Sequence, residues 1–369
     1  MMRLVAEIRV VRARGDGFAR GVHIGKELSD LIQASIAFYH RYLDRRGISS
    51  EQLQDLLTPY LVAAETAYPE TMAVLKGMSI GAMVPIMELF AVNAFEELEP
   101  LLESPEGELM FLQRKEGYVR PPVTERCSSL TVRLPETTLI AHNEHWLAGD
   151  LGNVAVIVDV PDGGRVAVAS PTVVACVPAV GMNAHGAGQA IGSLSAIDDG
   201  VGVPRVLVSR SSLEARNRAD AIARAGMPGR AGGYGHVYAF PDDAFIVETT
   251  GREHVVLDHA GPHTNHYQDE GLARLAPPPS EGSRARLDRL RELIAERGPT
   301  TPDDLMGIMR DHASSPQSIC LHPDPKEGEE ASAVMFSMIA DVAARRMWAT
   351  AGNPCESEFA EIALPELRT

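Results

Sequence analysis

The chain has 369 residues, 45% of them hydrophobic, with 50 acidic against 34 basic side chains and a formal net charge of -16. That is enough chain to bury a sizeable core in one large domain or two modest ones. The acidic balance and the lack of a basic stripe exclude a nucleic-acid backbone binder. Four cysteines with no C-x-x-C pair exclude a small disulfide scaffold and an obvious zinc ribbon.

The opening MMRLVAEIRVVRARGDG scatters charges and has no apolar signal-peptide region. Residues 5–11, VAEIRVV, read as a short strand. From Gly25 to about Glu97 the text is mainly helical. LSDLIQASIAFYHRYL, LQDLLTPYLVAAETAY and PIMELFAVNAFEELEPLL carry apolar residues at helical spacing, with Pro69 and Pro85 as breaks or first turns. The most apolar long window, GMSIGAMVPIM, is too short to span a bilayer, so no membrane is expected and a cytoplasmic, reducing setting is.

The texture changes at Cys127. CSSLTVRL, TTLIAHNEHW, NVAVIVDVP, RVAVASPTVVACVPAVGMN and GAGQAIGSLSAID are short and β-rich, with PDGG as a turn signal. SRSSLEARNRADAIARAG reads as one helix, followed by the strands HVYAF, AFIVETT and EHVVLDHA. A proline-rich link leads to the helix SRARLDRLREL. A second helix, TPDDLMGIMRDHA, has the capping signature Thr301 and Asp304. The expected division is therefore a mostly helical segment 1–126 and a strand-rich core 127–369, in a layered architecture without βαβ regularity.

A single cysteine is often just a small buried hydrophobe, and Cys176, inside VVACVPAV, reads that way. Cys355 reads as a turn or packing residue; Cys320, two residues before His322, is the other serious candidate for chemistry. Cys127 differs because it ends a polar loop and begins a strand. A thiol nucleophile needs a base or a lowered pKa. The cysteine's own α-amine, with an unperturbed pKa of about 7.7–8.0, is an economical base, but it exists only if the bond Arg126–Cys127 is cut.

At this point the motifs taken in order resemble the acyl-coenzyme A:6-aminopenicillanic acid acyltransferase family of the N-terminal-nucleophile hydrolases. They are RGVHIGKEL (20–28), PIMELFAVNAFEEL (85–98), CSSL, AHNEHW (141–146), GMNAHGAG (181–188), HTNHY (263–267), ICLHPD (319–324) and GNPCESEF (352–359). The resemblance implies an α+β fold, a four-layer αββα sandwich with a helical N-terminal segment. It also implies two strands in ASAVMFSMIADVAARRMWATAG. It implies a cysteine freed by self-cleavage, so one precursor yields two chains.

By that resemblance Cys127 is the nucleophile, first against the Arg126 carbonyl and then against substrate, and Asn265 is an oxyanion-hole donor. Asn143 is expected to orient the cysteine amine or a substrate carbonyl, and Asn183 to give a second polar contact. Arg20 is expected either to reach an acidic product or to anchor the first segment. His263 and His266 are expected to shape their loop. Three residues apart they lack a third ligand, so no metal is expected.

Two residues depart from the family pattern. His145 stands where an aspartate is common, and Arg126 where a glycine is. Alternation along a strand points Glu144 and His145 to opposite faces, so Glu144 replaces the aspartate only if the backbone bulges. Arg284 and Arg286, on what reads as a surface helix, are assigned no catalysis.

The leading expectation is a cysteine amidohydrolase or acyltransferase working through a thioester acyl-enzyme on a small N-acylated amine or amino-acid derivative. Coenzyme A would be a co-substrate rather than a bound cofactor. The alternatives are an unprocessed Cys127–His145 thiol hydrolase and an inactive binding protein on the same fold. Homo-oligomerisation is left open.

Overall fold

The structure, a computed structural model, describes residues 8–102 and 127–367. A short strand β1 (Arg9–Gly15) opens it, and six helices follow: α1 (Gly17–Glu27), α2 (Ser29–Arg45), α3 (Ser50–Ala67), α4 (Pro69–Ala82), α5 (Ile86–Asn93) and α6 (Phe95–Leu102). Of the strand expected over 5–11, residues 5–7 lie outside the described residues, and the described strand runs on past 11 to Gly15. The text expected as one helix at 85–102 is two, broken at Ala94, whose N–H bonds back to Phe90 and Ala91.

After Cys127 the strands are β2 (Ser128–Arg133), β3 (Thr138–Leu147), β4 (Val154–Pro161), β5 (Val168–Val173), β6 (Gly181–Asn183), β7 (Gly188–Leu194), β8 (Gly233–Phe240), β9 (Asp243–Thr249), β10 (His254–Leu257), β11 (Pro262–His263), β12 (Ser332–Asp341), β13 (Arg346–Ala349) and β14 (Ala360–Ile362). The helices among them are α7 (Arg205–Ser212), α8 (Arg218–Ala225), α9 (Glu270–Ala273), α10 (Glu281–Arg297) and α11 (Pro302–Met309). The single helix expected over 209–226 is interrupted because Asn217 is extended and caps α8 through its side chain. Thr301 and Asp304 form the expected capping box of α11.

One sheet orders its eight strands β1-β4-β5-β6-β7-β8-β9-β10; the other orders six as β11-β2-β3-β12-β13-β14. Pairing is antiparallel except between β1 and β4. The main core fills the space between the sheets, where Ile140 and Met338 meet Val156, Ala190 and Val237. On the outside of the six-stranded sheet, Leu290 and Leu293 of α10 and Leu305 and Ile308 of α11 cover Leu130, Leu139 and Ile339. On the outside of the other, Ala221 and Ala225 of α8 cover Tyr238, Phe245 and Val247. The result is helix, sheet, sheet, helix: an α+β sandwich of four layers.

The N-terminal segment is not a separate lobe. It donates β1 to the eight-stranded sheet, and α6 is tied by a buried ion pair, Glu97 to Arg205 Nε at 2.9 Å, to the start of α7, from which Arg205 Nη1 donates to the Leu194 and Gly233 carbonyls of that sheet. Arg20 is also buried. Its Nε donates to Asp159 at 2.5 Å and its Nη1 to the Gly15 carbonyl at 2.6 Å, while Asp159 also accepts from Arg210. These bonds tie α1 to β1 and β4. Among the described residues no helix is long and apolar enough to cross a membrane.

The motif around Gly21 has a packing explanation. Gly21 and Gly25 of α1 lie against Gly77 and Gly81 of α4 so closely that a Cβ on Gly21 would meet the Val74 carbonyl oxygen at 2.0 Å and Gly77 Cα at 2.9 Å. Backbone atoms cannot rotate away, so the helices would have to separate. Gly21→Ala is expected to cost about 3 kcal/mol, read as a lower urea midpoint in equilibrium unfolding; an unchanged midpoint would show that the two helices are not in this contact.

Candidate active site

The site begins with a turn. Leu134 N–H donates to the Thr137 carbonyl at 2.8 Å, and the hairpin above it pairs Leu130 with Ala141, Ser129 with His142 and Ser128 with Asn143. Continuing that register by one residue sets Cys127 opposite Glu144. Directly opposed residues share a face of the sheet. Cys127, Ser129, His142 and Glu144 therefore look into the sandwich, while Ser128, Asn143 and His145 look out toward α10 and α11.

On the inner face the polar groups form a chain. Cys127 Sγ lies 3.4 Å from Glu144 Oε1, Glu144 Oε2 lies 2.9 Å from His142 Nε2, and His142 Nδ1 lies 3.0 Å from Ser129 Oγ. A neutral imidazole carrying its hydrogen on Nε2 satisfies both contacts, donating to Glu144 and accepting from Ser129. Cys127, His142 and Glu144 also hold three metal-type ligand atoms within 4.8 Å of one another, but both His142 nitrogens are already engaged in this chain.

The nitrogen side of Cys127 is held by the HTNHY segment. β11 pairs with β2 as the edge of the sheet, His263 opposite Ser129, which carries Asn265 to the start of β2. Cys127 N–H donates to Asn265 Oδ1 at 3.1 Å, and Asn265 Nδ2 donates to the Ser193 carbonyl at 3.2 Å. Ser283 fixes Asn265 by accepting from its N–H at 2.9 Å. Arg286 completes the arrangement. Its Nη1 donates to the Cys127 carbonyl and, at 3.0 Å, to Ser128 Oγ, and its Nη2 donates to Asn265 Oδ1 at 3.0 Å.

The remaining expected residues lie elsewhere. Asn143 Nδ2 donates to the Met309 and Ile319 carbonyls, both at 2.9 Å, and the His145 ring also meets Ile319 O, at 3.1 Å. Burial, and then Arg286 nearby, hold the His145 imidazole well below its ordinary pKa, so it is neutral. The structure does not bring its ring to the sulfur; only its main-chain N–H favours the thiolate. Asn183 ties its own turn, donating to Leu213 O and Ala215 O and accepting from His185 N and Ala187 N. His263 pairs with Glu248 at 2.9 Å, and His266 with Ser283 Oγ at 2.7 Å; burial first lowers the His266 pKa to about 4. Arg126 lies outside the described residues.

Two features escaped the sequence reading. The β3 backbone needs no bulge for Glu144 to reach Cys127, because the register already puts the pair on one face; the irregularity lies on β12, between Val334 and Phe336. Arg286 is not on a surface face. It is 3% exposed and lies with Ser283, Leu287, Leu290 and Leu293 on the buried stripe of α10. An arginine at apolar spacing was the signal available.

A partly open pocket lies beside this chain of groups. Glu144 forms part of its wall, with Phe95, Glu96, Trp146, Val173, Cys176, Ile191 and Phe336 among the others. Cys176, expected in the core, therefore lines a cavity. Asn265 lines a second pocket with Ser193, His266 and Tyr267.

Two stacked, largely antiparallel sheets between helix layers, with a cysteine at the leading end of an inner strand, define a sandwich of the N-terminal-nucleophile hydrolase type. The chain belongs to the acyl-coenzyme A:6-aminopenicillanic acid acyl-transferase family, whose profile matches residues 132–356. A search of the curated proteins found no match. Among solved structures, a mutant conjugated bile acid hydrolase from Clostridium perfringens matches at 11% identity with a TM-score of 0.31, over 64% of this chain and 96% of that one.

Burial first, and next the Glu144 carboxylate, push the Cys127 thiol well above its ordinary pKa. The thiolate is thus scarce at neutral pH and gains population as pH rises. Glu144→Gln removes the repelling charge, so the thiol's pKa falls. Peptide-resolved alkylation of Cys127 across pH is expected to reach half-rate at a lower pH in Glu144→Gln than in the wild type. An equal or higher half-rate pH would remove Glu144 from the sulfur's surroundings.

Proposed function

We propose that the protein is a cysteine amidohydrolase or acyltransferase that matures by cutting Arg126–Cys127 and then acts on a small N-acylated amine or acyl thioester. The observation that carries this reading is that both reactive atoms of Cys127 are separately held: nitrogen on Asn265 and sulfur on Glu144.

In the precursor, sulfur attacks the carbonyl carbon of residue 126 while its proton passes to Glu144. The carbon–nitrogen bond breaks, the nitrogen takes up a proton as the new α-amine, and residue 126 is joined to Sγ as a thioester. Water then releases it as a carboxylate and restores the thiol. Because the thiol's pKa is raised, proton removal has to accompany attack rather than precede it.

In the mature form the freed amine becomes the base. With an unperturbed pKa of about 7.7–8.0, a minority of it is uncharged at pH 7 and about half near pH 8, so the fraction able to accept a proton grows with pH, and it stays hydrogen-bonded to Asn265 Oδ1. The thiol attacks the substrate's acyl carbon, the amine or thiol product leaves with a proton, and the acyl group rests on sulfur until water or an acceptor amine takes it. The second hydrogen on Asn265 Nδ2 is the candidate donor to the developing oxyanion. Arg286 is a positioning residue, fixing the Cys127 carbonyl and the Asn265 carboxamide.

The largely apolar cavity beside Glu144 suits the acyl portion. The family's description names an acyl-coenzyme A, so acyl thioesters and N-acyl amines are the donors to try first, with coenzyme A as co-substrate. A Cys127–His145 pair draws no support from the geometry, because the imidazole is turned to Ile319 on the opposite face.

Intact mass decides the processing step. The wild type is expected as two pieces, the second beginning at Cys127, and Cys127→Ala as one chain of 39.8 kDa. A wild type that stays whole under every condition that permits folding would defeat the maturation half. Asn265→Ala is expected to lower kcat by about 10²–10³-fold with little change in KM. An effect confined to KM would deny it the oxyanion role.

A further inference from the structure

A second cluster of reactive side chains lies on the outer face of the six-stranded sheet. His312 follows α11, Cys320 and His322 sit in the loop before β12, and Cys355 follows β13. One ligand atom from each lies within 4.8 Å of all the others. The two sulfurs are 3.6 Å apart and the Nε2 atoms of His312 and His322 are 3.1 Å apart. His322 Nε2 lies 3.2 Å from Cys355 Sγ and 4.0 Å from Cys320 Sγ.

These distances fit a tetrahedron around one ion. With zinc–sulfur bonds of ~2.3 Å and zinc–nitrogen bonds of ~2.0–2.1 Å, the edges are ~3.8 Å between sulfurs, ~3.3 Å between nitrogens and ~3.6 Å for mixed pairs. A sulfur pair at 3.6 Å is too far apart for a disulfide, which needs ~2.05 Å. Hydrogen bonding alone explains the cluster poorly: His322 Nε2 faces a nitrogen and two sulfurs at once and has at most one hydrogen to give.

We propose that His312, Cys320, His322 and Cys355 bind a structural zinc ion. Two thiolates and two imidazoles in a tetrahedron select zinc over magnesium or calcium, and four protein ligands leave no open position for catalysis. Binding displaces the two thiol protons to solvent.

The surroundings are those of a ligand shell. Asn353 Nδ2 donates to Cys320 Sγ at 3.5 Å and to the Leu321 carbonyl at 2.8 Å. Glu356 Oε1 lies 4.0 Å from His322 Nδ1, the ring nitrogen facing away from the cluster.

The ion gives the loop a task. Ile319, adjacent to Cys320, is the residue whose carbonyl receives both Asn143 and His145 of β3. Fixing Cys320 fixes that carbonyl, and with it the outer face of the strand whose inner face carries His142 and Glu144. The proposal stands whether or not Cys127 is a nucleophile.

Elemental analysis of full-length protein, expressed with zinc and purified under reducing conditions, is expected to find about one zinc per chain. Cys127→Ala is expected to retain it, and Cys355→Ser and His322→Ala to lose it. Asn353→Ala is expected to weaken zinc affinity by about 10–100-fold. Because a ligand variant can misfold, the wild type is also stripped with a chelator and refilled with cobalt(II), which is expected to show tetrahedral d–d bands with sulfur-to-cobalt charge transfer. Chelation is expected to lower Tm, and zinc to restore it. Substoichiometric zinc that refilling does not raise would overturn the site. So would zinc lost with Cys127→Ala, an octahedral cobalt spectrum, or a Cys320–Cys355 disulfide in the reduced, zinc-fed protein.

Discussion

The hairpin register of β2 and β3 is the constraint on which the rest of the site depends. A strand shifted by one residue moves every side chain to the other face of its sheet. Here Leu134–Thr137 closes the turn, and everything above it follows. Cys127 meets Glu144, Ser129 meets His142, and Asn143 and His145 are committed to the helices outside. A slip of β2 by one would set Cys127 opposite Asn143 or His145, on the face toward α10, and take the sulfur away from Glu144. Burial guards against that slip, because Leu130, Leu139 and Ala141 are packed under α10 and α11 while Ile140 belongs to the core between the sheets.

That register has to survive the chain being cut next to it. In the proposed maturation β2 loses its covalent tie to everything before it and acquires a charged terminus at its first residue. The N-terminal piece would remain because its contacts do not run through residue 126. β1 is hydrogen-bonded along β4, Glu97 is buried against Arg205, and Arg20 is buried against Asp159. Removing one partner of a buried pair typically costs about 3–5 kcal/mol, because the other charge is left uncompensated. Both pieces also line the cavity, whose wall takes Val92, Asn93, Phe95 and Glu96 from the N-terminal piece and Glu144, Thr172 and Tyr234 from the other. An active site made by both pieces is one that cutting need not disassemble.

What the sequence allowed to be read follows from how local each signal is. Strand texture after residue 127, the capping box at Thr301 and the order of motifs are short-range, and they led to the sandwich and to the two strands β12 and β13. Helix breaks at Ala94 and around Asn217 were missed because the apolar spacing continues through them. Comparison with a motif in which the acidic residue stands one place later ranks Glu144 only as a secondary site residue; the length of the turn, only Pro135 and Glu136 between the paired ends, is the better guide to which residue faces the thiol. Arg286 was hidden by its type, since arginine on a charged helix is usually solvated, although its position on the Leu287–Leu290–Leu293 stripe marked it as inward. The four residues around Cys320 come from three separate stretches, and only the folded sheet brings Cys355 to His322.

A buried thiol next to a carboxylate is a poor resting nucleophile, and this shapes how the proposed chemistry has to run. Glu144 stabilises the protonated sulfur by repelling the thiolate, yet it is also the nearest atom able to take that proton. Both effects come from the same 3.4 Å contact. Before cleavage this keeps the sulfur quiet except when an acyl carbon is already aligned, because the proton and the new bond have to move together. After cleavage the α-amine changes the electrostatics: when protonated it is a cation on the same residue as the sulfur, opposing the repulsion that holds the thiol up. The precursor would then favour a single attack on its own backbone, and the mature chain would gain a lower thiol pKa from the product of that attack. On this reading the self-cleavage is more than the unmasking of a base, since it sets a titratable amine against the Glu144 charge that faces the sulfur.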